Sequence, residues 1–425
     1  MSLHSIRVSL LALFTAVLLT ACGGSTTSTK PAPPVGGLSV VPGDSQVTIS
    51  WQETPGIEYW IFASPNSPNL TLSNWLATTG STYRLKVTSP FVVTGLTNGT
   101  PYSFFLTGRI NSGPGGDATP TVTSTPRLAG VNWTSGTNLN TGSKTGLTYG
   151  NYVDTATNTL VYKYVAVGNN GRMFSGSDIA TWSALTPAVT TDLNAVEFAF
   201  AKYIAVGAGG KIISSGDTQT WTQATGVNAD NLNAISASGI LVVAVGDNGT
   251  IVTSKDAITW TAATSVPAGT PNLYAVSYGI SGKWTAVGAN GTILNSDDGL
   301  TWTAQTSGTT ADLKGIASNS TYVNGVNTYT YVVIGNALNG QGTVLSSPDA
   351  ITWTAQTATT TASLNAISAI NQFLVIGNNG TVITSLDGIT WTRQTTNVIG
   401  NLKTLLRAEN QYIAANDTGG LIWSK

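Results

Sequence analysis

The chain has 425 residues, of which 47 are glycine and 9% are Asp, Glu, Lys or Arg, against about 25% charged residues in an average soluble protein. Hydrophobic residues make up 41%, which is enough for sizeable cores and excludes charge-driven disorder over most of the chain. The net charge of −1 provides no basic surface, so we expect no nucleic-acid partner. At about 100–200 residues per domain, the length predicts two or more domains.

The N-terminus has the pattern of an export signal. A short basic segment is followed by Val8–Leu19, an apolar run too short to cross a bilayer, which needs about 20 residues. Small residues then precede Cys22, as at a cleavage site. The stretch Leu19-Thr20-Ala21-Cys22 resembles the lipobox of bacterial lipoproteins, in which the cysteine is lipidated and becomes the new N-terminus.

This resemblance implies a lipoprotein signal peptide over residues 1–21, lipidation of Cys22 and attachment to the membrane through the lipid anchor. An ordinary signal peptide with an incidental cysteine is the alternative. Gly23, rather than Asp, follows the cysteine, and by resemblance to Gram-negative lipoproteins this favours the outer membrane. We therefore expect an exported protein in which residues 22–36, rich in Ser, Thr, Pro and Gly, form a flexible tether.

Cleavage before Cys22 limits the available chemistry. It removes His4, the only histidine, and leaves one cysteine, which would be acylated. A chain without imidazole has no Ser-His-Asp triad, no Cys-His pair and no histidine metal site. We expect no catalytic residues of these kinds, no metal and no cofactor.

Residues 37–127 alternate like strands of a sandwich. Val47, Ile49 and Trp51 are apolar and are separated by polar residues, which is the period of a half-buried strand. Trp51, together with Leu96 and with Tyr102 at the opening of a late strand, resembles a fibronectin type III domain. The resemblance implies the fold alone, with Tyr102 as a corner tyrosine whose hydroxyl bonds to nearby backbone.

Residues 128–425 repeat a unit of four short strands. The first strand resembles Leu-Asn-Ala-Ile-Ser, the second ends in Ala-Val-Gly, an Asn-Gly turn follows, and the fourth carries Thr-Trp. Asn-Gly favours a hairpin, because both turn residues need positive φ. Seven tryptophans recur 38–51 residues apart, close to the spacing of propeller blades: Trp133, Trp182, Trp221, Trp260, Trp302, Trp353 and Trp391.

The two ends of the repeat region complement each other. The chain stops at Gly420–Lys425, which matches a third strand, and the region opens at Val131–Thr134, which matches an isolated fourth strand. We therefore predict an all-β protein, with an N-terminal sandwich and a seven-bladed β-propeller whose N-terminal strand completes the last blade. Such closure protects sheet edges.

A motif, Ser-x-Asp-[Gly/Ala]-[Ile/Leu]-Thr-Trp, precedes the fourth strand, with looser copies in the early repeats. It resembles the Asp-box of sialidase-like propellers, except that the aspartate stands four residues before the tryptophan rather than five, and the region also resembles photosystem II assembly factors. We interpret the aspartates as structural, because a turn aspartate accepts backbone hydrogen bonds; the alternative is a ring of metal or sugar ligands. They are Asp178, Asp217, Asp256, Asp298, Asp349 and Asp387.

An enzyme of the sialidase type needs an arginine cluster, a tyrosine nucleophile and a glutamate. The repeats contain three arginines, Arg172, Arg393 and Arg407, which we do not expect to converge. Their two glutamates, Glu197 and Glu409, fall near links between first and second strands, where we expect solvated turns.

A glycosidase built from two aspartates stays open. Asp192, Asp230 and Asp312 lie just before first strands, which we expect to line the axis.

A binding surface is the other hypothesis for the axis. The residue after the recurring leucine of each first strand would line it, and amide bonding between neighbouring blades is the alternative role. These candidates are Asn194, Asn233, Tyr274, Lys314, Asn365 and Lys403. Two tyrosine-bearing insertions, Tyr149–Tyr162 and Ser318–Tyr331, are further candidates, because long loops on rigid scaffolds often recognise partners.

We expect a cell-envelope lipoprotein that acts as a non-catalytic binding or assembly scaffold for a protein or glycan partner. The alternative function is a carbohydrate-active propeller, either a lectin or a glycoside hydrolase.

Overall fold

A computed structural model describes residues 30–424 apart from 128, 131, 144, 225–229, 324–325, 371, 395 and 397. The chain divides into two compact units, Met1–Ala129 and Gly130–Lys425. The predicted signal peptide and Cys22 lie outside the described residues, as does the tether up to residue 29. Within the described ranges, no helix is both long enough and apolar enough to cross a membrane.

The first unit contains two antiparallel sheets, with strand orders β1-β2-β5 and β4-β3-β6-β7. The strands are β1 (Ser39–Gly43), β2 (Gln46–Ser50), β3 (Glu58–Pro65), β4 (Thr82–Val87), β5 (Phe91–Thr94), β6 (Tyr102–Arg109) and β7 (Val122–Ser124), with a 3-10 turn at Trp75–Ala77. The strand predicted around Val47 and Ile49 is β2, which ends at Ser50, one residue before Trp51, and Tyr102 opens β6 as predicted.

The core of the first unit lies between these sheets. Val47 and Ile49 of β2 pack with Ile61 of β3 and Phe104 of β6, all nearly inaccessible to solvent. The backbone N–H of Thr97 donates to the hydroxyl oxygen of Tyr102 at 3.2 Å, so this hydroxyl bonds to nearby backbone as expected.

The second unit contains, over its described residues, seven four-stranded antiparallel sheets, here called blades 1–7. In chain order, the strands of blade 1 are β9 (Thr145–Asp154), β10 (Thr159–Gly168), β11 (Met173–Gly176) and β12 (Ser183–Ala184); of blade 2, β13 (Leu193–Ala199), β14 (Lys202–Gly207), β15 (Ile212–Ser215) and β16 (Thr222–Gln223); and of blade 3, β17 (Leu232–Ala237), β18 (Val242–Gly246), β19 (Ile251–Ser254) and β20 (Thr261–Ala262). Those of blade 4 are β21 (Leu273–Tyr278), β22 (Trp284–Gly288), β23 (Ile293–Ser296) and β24 (Thr303–Gln305); of blade 5, β25 (Leu313–Val323), β26 (Val326–Leu338), β27 (Gln341–Ser347) and β28 (Thr354–Ala355); and of blade 6, β29 (Leu364–Ile370), β30 (Gln372–Gly377), β31 (Val382–Ser385) and β32 (Thr392–Arg393).

Blade 7 combines the two ends of this unit. It consists of β33 (Leu402–Ala408), β34 (Gln411–Asn416), β35 (Gly420–Ser424) and β8 (Thr134–Asn138). β8 is antiparallel to β35, with Ser135 opposite Ile422, which confirms that an N-terminal strand completes the last sheet.

The blades form a closed ring. First strands of successive blades contact one another from β9 to β33, and β33 contacts β9. They therefore surround a common axis, as in a β-propeller. Apolar side chains fill the gaps: between blades 1 and 2, Val165, Leu193 and Tyr203 are fully buried. Each such side chain stabilises the ring by about 1.5–3 kcal/mol.

Two local predictions need correction. The fourth strand begins immediately after the tryptophan instead of containing it, as β20 does after Trp260. The tyrosine-bearing insertions are not loops: they extend the hairpins β9–β10 and β25–β26.

The Asn-Gly prediction was right about backbone conformation, since Asn248 and Gly249 have φ of 54° and 68°. The connection is longer than a two-residue hairpin, however, and contains a 3-10 turn at Asp247–Gly249. Equivalent turns occupy Asn169–Gly171, Ala208–Gly210 and Ala289–Gly291.

The closing strand can be tested by a bulky side chain at Gly136, where an added Cβ atom would come within 2.2 Å of the Trp423 ring. We expect Gly136→Val to lower the free energy of unfolding by about 1–3 kcal/mol, because β8 must shift. Gly239→Val is the control, since an added Cβ atom there meets nothing within 4 Å. Equal melting temperatures of the two variants, measured by circular dichroism, would contradict closure through β8.

Candidate functional site

The ring has two different faces. Strands within a blade are antiparallel, so the connections alternate between the two ends of each sheet. We call the end with the second-to-third connections the turn face. The opposite end, with the first-to-second and third-to-fourth connections, is the hairpin face.

The predicted axial residues lie near the turn face, each in a β-bulge. In every first strand from β13 to β33 the pairing register skips the residue that follows the recurring leucine. A bulged residue is freed from the ladder, and its side chain is re-aimed. All six candidates therefore share one local geometry.

The three asparagines bond across blades. Each Nδ2 donates to the carbonyl oxygen of the recurring leucine in the next blade: Asn194 to Leu232 at 2.7 Å, Asn233 to Leu273 at 3.0 Å, and Asn365 to Leu402 at 2.7 Å. These amides therefore have the alternative role, which is hydrogen bonding between neighbouring blades.

The other three candidates also join blades. Lys314 Nζ lies 3.3 Å from the centroid of the Tyr274 ring and 3.4 Å from a carboxylate oxygen of Asp312. Burial lowers the pKa of Lys314. Lys403 Nζ donates to Asn378 Oδ1 at 3.2 Å. The lysines therefore connect blade 5 to blade 4 and blade 7 to blade 6.

Sequence reasoning missed a second set of acceptors, which we call the clamp residues. Each stands immediately before a first strand. Its backbone carbonyl accepts from the turn of its own blade, and its side-chain oxygen accepts from the turn of the preceding blade. They are Asp192, Asn231, Asn272, Asp312, Ser363 and Asn401.

Two of the clamp residues, Asp192 and Asp312, are aspartates that the hypothesis of a two-aspartate hydrolase would use as catalytic groups. Asp192 Oδ1 accepts the N–H of Asn170 at 2.9 Å, and Asp312 Oδ1 accepts that of Asn290 at 3.2 Å. Asp230 accepts from the Thr250 hydroxyl at 2.9 Å. All three carboxylates hold turns. The recurrence of Asp, Asn or Ser immediately before the first strands of blades 2–7 was the available sequence signal.

The motif aspartates hold the third-to-fourth connections. Asp256 Oδ1 accepts the N–H groups of Ile258 and Thr259, both at 2.8 Å, and these hydrogen bonds lower the pKa of Asp256 to about 2. The other five make the same pair of bonds on their own blades: Asp178, Asp217, Asp298, Asp349 and Asp387. Among the described residues, no three His, Cys, Asp or Glu side chains are grouped as metal ligands.

The arginines of the repeats occupy different places. Arg172 donates to the carbonyl of Asn140 near the turn face. Arg393 lies on the outer strand β32 of blade 6. Arg407 lies on the inner strand β33 of blade 7, with its guanidinium 5.0 Å from the Tyr412 ring centroid.

Glu409 joins the ring at its seam. Its two carboxylate oxygens accept from the hydroxyls of Tyr149 and Tyr164, each at 2.6 Å, and thereby connect blade 7 to blade 1. Burial and these hydrogen bonds raise the pKa of both tyrosines. Glu409 lies in the exposed turn between β33 and β34, as expected, but its carboxylate also joins two blades.

Glu197, in contrast, is not in the turn where it was expected. It lies within β13, opposite Ile204, and Oε1 accepts the N–H of Phe198 at 3.1 Å. Its side chain keeps some contact with solvent but is otherwise enclosed, and this burial raises the pKa of Glu197 to about 7. Blades 3, 4 and 6 have a serine at the matching register position.

An open pocket of about 400 Å³ lies at the hairpin face. The ends of the first strands of blades 4–7 form its walls. This axial pocket is lined by Ser277, Tyr278, Ile280, Ile316, Ala317, Ser318, Ile367, Ser368, Ala369, Ile370, Leu405, Leu406 and Arg407. No sequence motif marks it, because its residues come from four separate repeats.

Comparison with known proteins supports the fold. No family model matches the chain, and no curated protein matches its sequence. A solved structure described as YCF48 bound to D1 peptide has a TM-score of 0.52 and 18% identity, over 68% of this chain and 95% of that one. YCF48 from Cyanidioschyzon merolae has a TM-score of 0.50 and 16% identity, over 68% and 98% of the two chains. At such identities the likeness shows the propeller fold alone.

The raised pKa of Glu197 can be tested by measuring the stability of the protein at different pH values. Because the pKa of Glu197 is about 7 in the fold against 4.5 ordinarily, the unfolded chain loses this proton first as pH rises, and stability falls between these values. We expect Glu197→Gln to raise the free energy of unfolding by about 1–2 kcal/mol at pH 8 and to leave it unchanged at pH 4. Glu197→Ser, which copies blades 3, 4 and 6, should show the same pH dependence in urea titrations. A gain of equal size at both pH values would contradict the shifted pKa.

Proposed function

We propose that this chain is an exported, lipid-anchored envelope protein whose propeller is a non-catalytic binding or assembly scaffold for a protein partner. The observation that carries the proposal is a contrast between the two faces. At the turn face, the candidate polar side chains are bound to other blades. At the hairpin face, the lining of an open pocket includes the exposed side chains of Tyr278, Ile280 and Ile370.

The geometry argues against hydrolysis. A retaining or inverting glycosidase needs two carboxyl groups flanking one bond. The aspartates that sequence reasoning left open are each engaged in a turn. The three arginines of the repeats lie on different strands or turns of blades 1, 6 and 7. We therefore favour binding over the carbohydrate-active alternative.

The structural comparisons support a polypeptide as the ligand. In one of the similar structures, YCF48 is bound to D1 peptide, so one protein with this fold binds a peptide. Loops and hairpins on rigid scaffolds commonly carry recognition. We extend this role, in its general form, to the present chain.

The first unit is proposed as a fibronectin type III-like spacer. Its sheets, ordered β1-β2-β5 and β4-β3-β6-β7, enclose one core, as in that family of sandwiches. The hydrogen bond at Tyr102 supports the same assignment. The proposed motif family of the propeller, the Asp-box, is supported by the shared turn geometry of its six aspartates.

The lipid anchor is tested by Cys22→Ser. Removal of the thiol prevents acylation, and since stable attachment takes more than one acyl chain, we expect the variant to move from the membrane pellet to the soluble fraction. Ser25→Ala, a change of similar size in the same segment, is the control. Retention of the Cys22→Ser variant in the pellet would refute the anchor.

The scaffold role is tested by capture from detergent-solubilised envelope. We expect one protein to be recovered in stoichiometric amount, and a panel of glycosides to remain uncleaved. Suppose that the protein cleaves a glycoside and that a clamp variant such as Asp312→Ala loses this activity. That result would overturn the proposal in favour of the hydrolase. Selective binding on a glycan array without turnover would favour the lectin.

A further inference from the structure

Asparagine followed by glycine is a chemically reactive pair, and the fold holds most such pairs of this chain tightly. In blades 1, 3, 4 and 6 the asparagine stands in the second-to-third connection. Its backbone N–H donates to the side-chain oxygen of the clamp residue that precedes the next blade. These asparagines are Asn170, Asn248, Asn290 and Asn379.

The glycines of these four pairs are equally enclosed. An added Cβ atom would come to 2.7 Å or less from the connection to the next blade at Gly171, Gly249, Gly291 and Gly380. The N–H of Gly291 donates to the carbonyl of Ala311 at 2.8 Å, and that of Gly380 to the carbonyl of Gly400 at 2.6 Å. The backbone nitrogen of such a glycine can react only after the turn has opened.

The pair in the first unit is held as well. The N–H of Gly99 donates to the carbonyl of Pro126 at 2.8 Å, and the side-chain oxygen of Asn98 accepts the N–H of Ser45 at 2.8 Å. The pair at residues 324–325 lies outside the described residues.

Blade 5 differs because its second-to-third connection is longer. The N–H of Ala337 donates to the hydroxyl of the clamp residue Ser363 at 3.0 Å, and that of Gly342 donates to the carbonyl of Thr360 at 3.0 Å. Both ends of the connection are therefore held as in the other blades. Residues 338–341 are inserted between these ends and lie beyond the clamp.

The insertion is an exposed hairpin tip with an Asn-Gly pair at its turn. Leu338 lies opposite Gln341, and Asn339 and Gly340 between them have φ of 52° and 77°. The pairing register is interrupted between Gly335 and Leu338, so the tip is separated from the rest of the ladder. An added Cβ atom at Gly340 meets nothing within 4 Å. An exposed tip with so few contacts opens at low free-energy cost.

We propose that Asn339 is a site of spontaneous deamidation, and that the fold protects the other described Asn-Gly pairs from the same reaction. The contrast between the open tip of blade 5 and the clamped turns of the other blades carries the inference. It is independent of the proposed scaffold function.

The nucleophile is the backbone nitrogen of Gly340, which loses its proton to hydroxide and attacks Cγ of Asn339. A carbon–nitrogen bond forms, the bond from Cγ to the side-chain nitrogen breaks, and this nitrogen takes a proton from water and leaves as ammonia. The product is a five-membered cyclic imide. Water opens either carbonyl of the imide, so that aspartate or isoaspartate remains at position 339. Glycine favours ring closure because it has no side chain to crowd the nitrogen.

The reaction changes the turn face and leaves the ring intact. It adds a negative charge to the tip of blade 5. In isoaspartate the backbone runs through the former side chain and gains one carbon atom, so Leu338 and Gln341 lose their register. The bonds of Ala337 and Gly342 lie on either side of the tip and should persist.

The experiment incubates the purified full chain for weeks in mildly alkaline buffer, with and without urea. Samples are digested with chymotrypsin, and deamidation of each peptide is measured by mass spectrometry against the sample taken at the start. In buffer we expect Asn339 to react about tenfold faster, or more, than the four clamped asparagines, because their turns open at a higher cost. In urea, where the fold is lost, we expect the rates to agree within about twofold.

Two outcomes would overturn the proposal. One is an equal or faster reaction at a clamped asparagine in buffer. The other is a difference that persists in urea, because the selectivity would then come from local sequence and not from the fold.

Gly340→Ala tests the nucleophile. The added methyl group crowds ring closure, so we expect deamidation of Asn339 to slow by about tenfold. Gly56→Ala is the matched control, since Gly56 also has positive φ, 82°, and open space around it, and it should leave the rate unchanged. An unchanged rate in Gly340→Ala, or a product that contains aspartate without isoaspartate, would indicate direct hydrolysis by water and refute attack by Gly340.

Discussion

Each of blades 2–7 is held to the preceding blade by an oxygen acceptor that stands just before its first strand. In one residue, such as Asn231, the backbone carbonyl accepts from the blade's own turn and the side-chain oxygen accepts from the turn of the blade before. The same device recurs from Asp192 to Asn401. Because buried backbone groups must be paired, the turns become fixed points, and the bulged residues after them reach the next blade in one geometry.

At the join of blade 7 to blade 1, other contacts hold the ring. The closing strand β8 pairs with β35, and Glu409 of blade 7 accepts hydrogen bonds from two tyrosines of blade 1. Leu139 also donates its N–H to the carbonyl of Gly419 at 3.0 Å. Bonds between distant parts of the chain therefore complete a structure whose other joints are made between consecutive repeats.

Because polar side chains hold the turns and join the blades, they are not available as catalytic or ligand-binding groups. Carboxylates such as Asp192 and Asp256 serve turns, and amides such as Asn194 serve inter-blade contacts. Aliphatic residues such as Ile240 and Ile280 stand exposed in the first-to-second connections of blades 3 and 4. Ile280 lines the axial pocket together with Ile370 of blade 6, and the binding hypothesis is built on this placement.

The sequence alone determined the features that depend on local chemistry: the alternating strand at Gln46–Ser50, the positive φ at Asn-Gly, the turn role of Asp256, and the complementary ends of the last blade. Its spacing of tryptophans predicted the repeats. Only the tertiary structure decided that Asn194 bonds to the next blade, that Glu409 reaches blade 1, and that Ile280, Ile370 and Arg407 share one pocket. These pairings join residues tens to hundreds of positions apart, and which side chains meet there depends on the rotation between sheets, which no single repeat specifies.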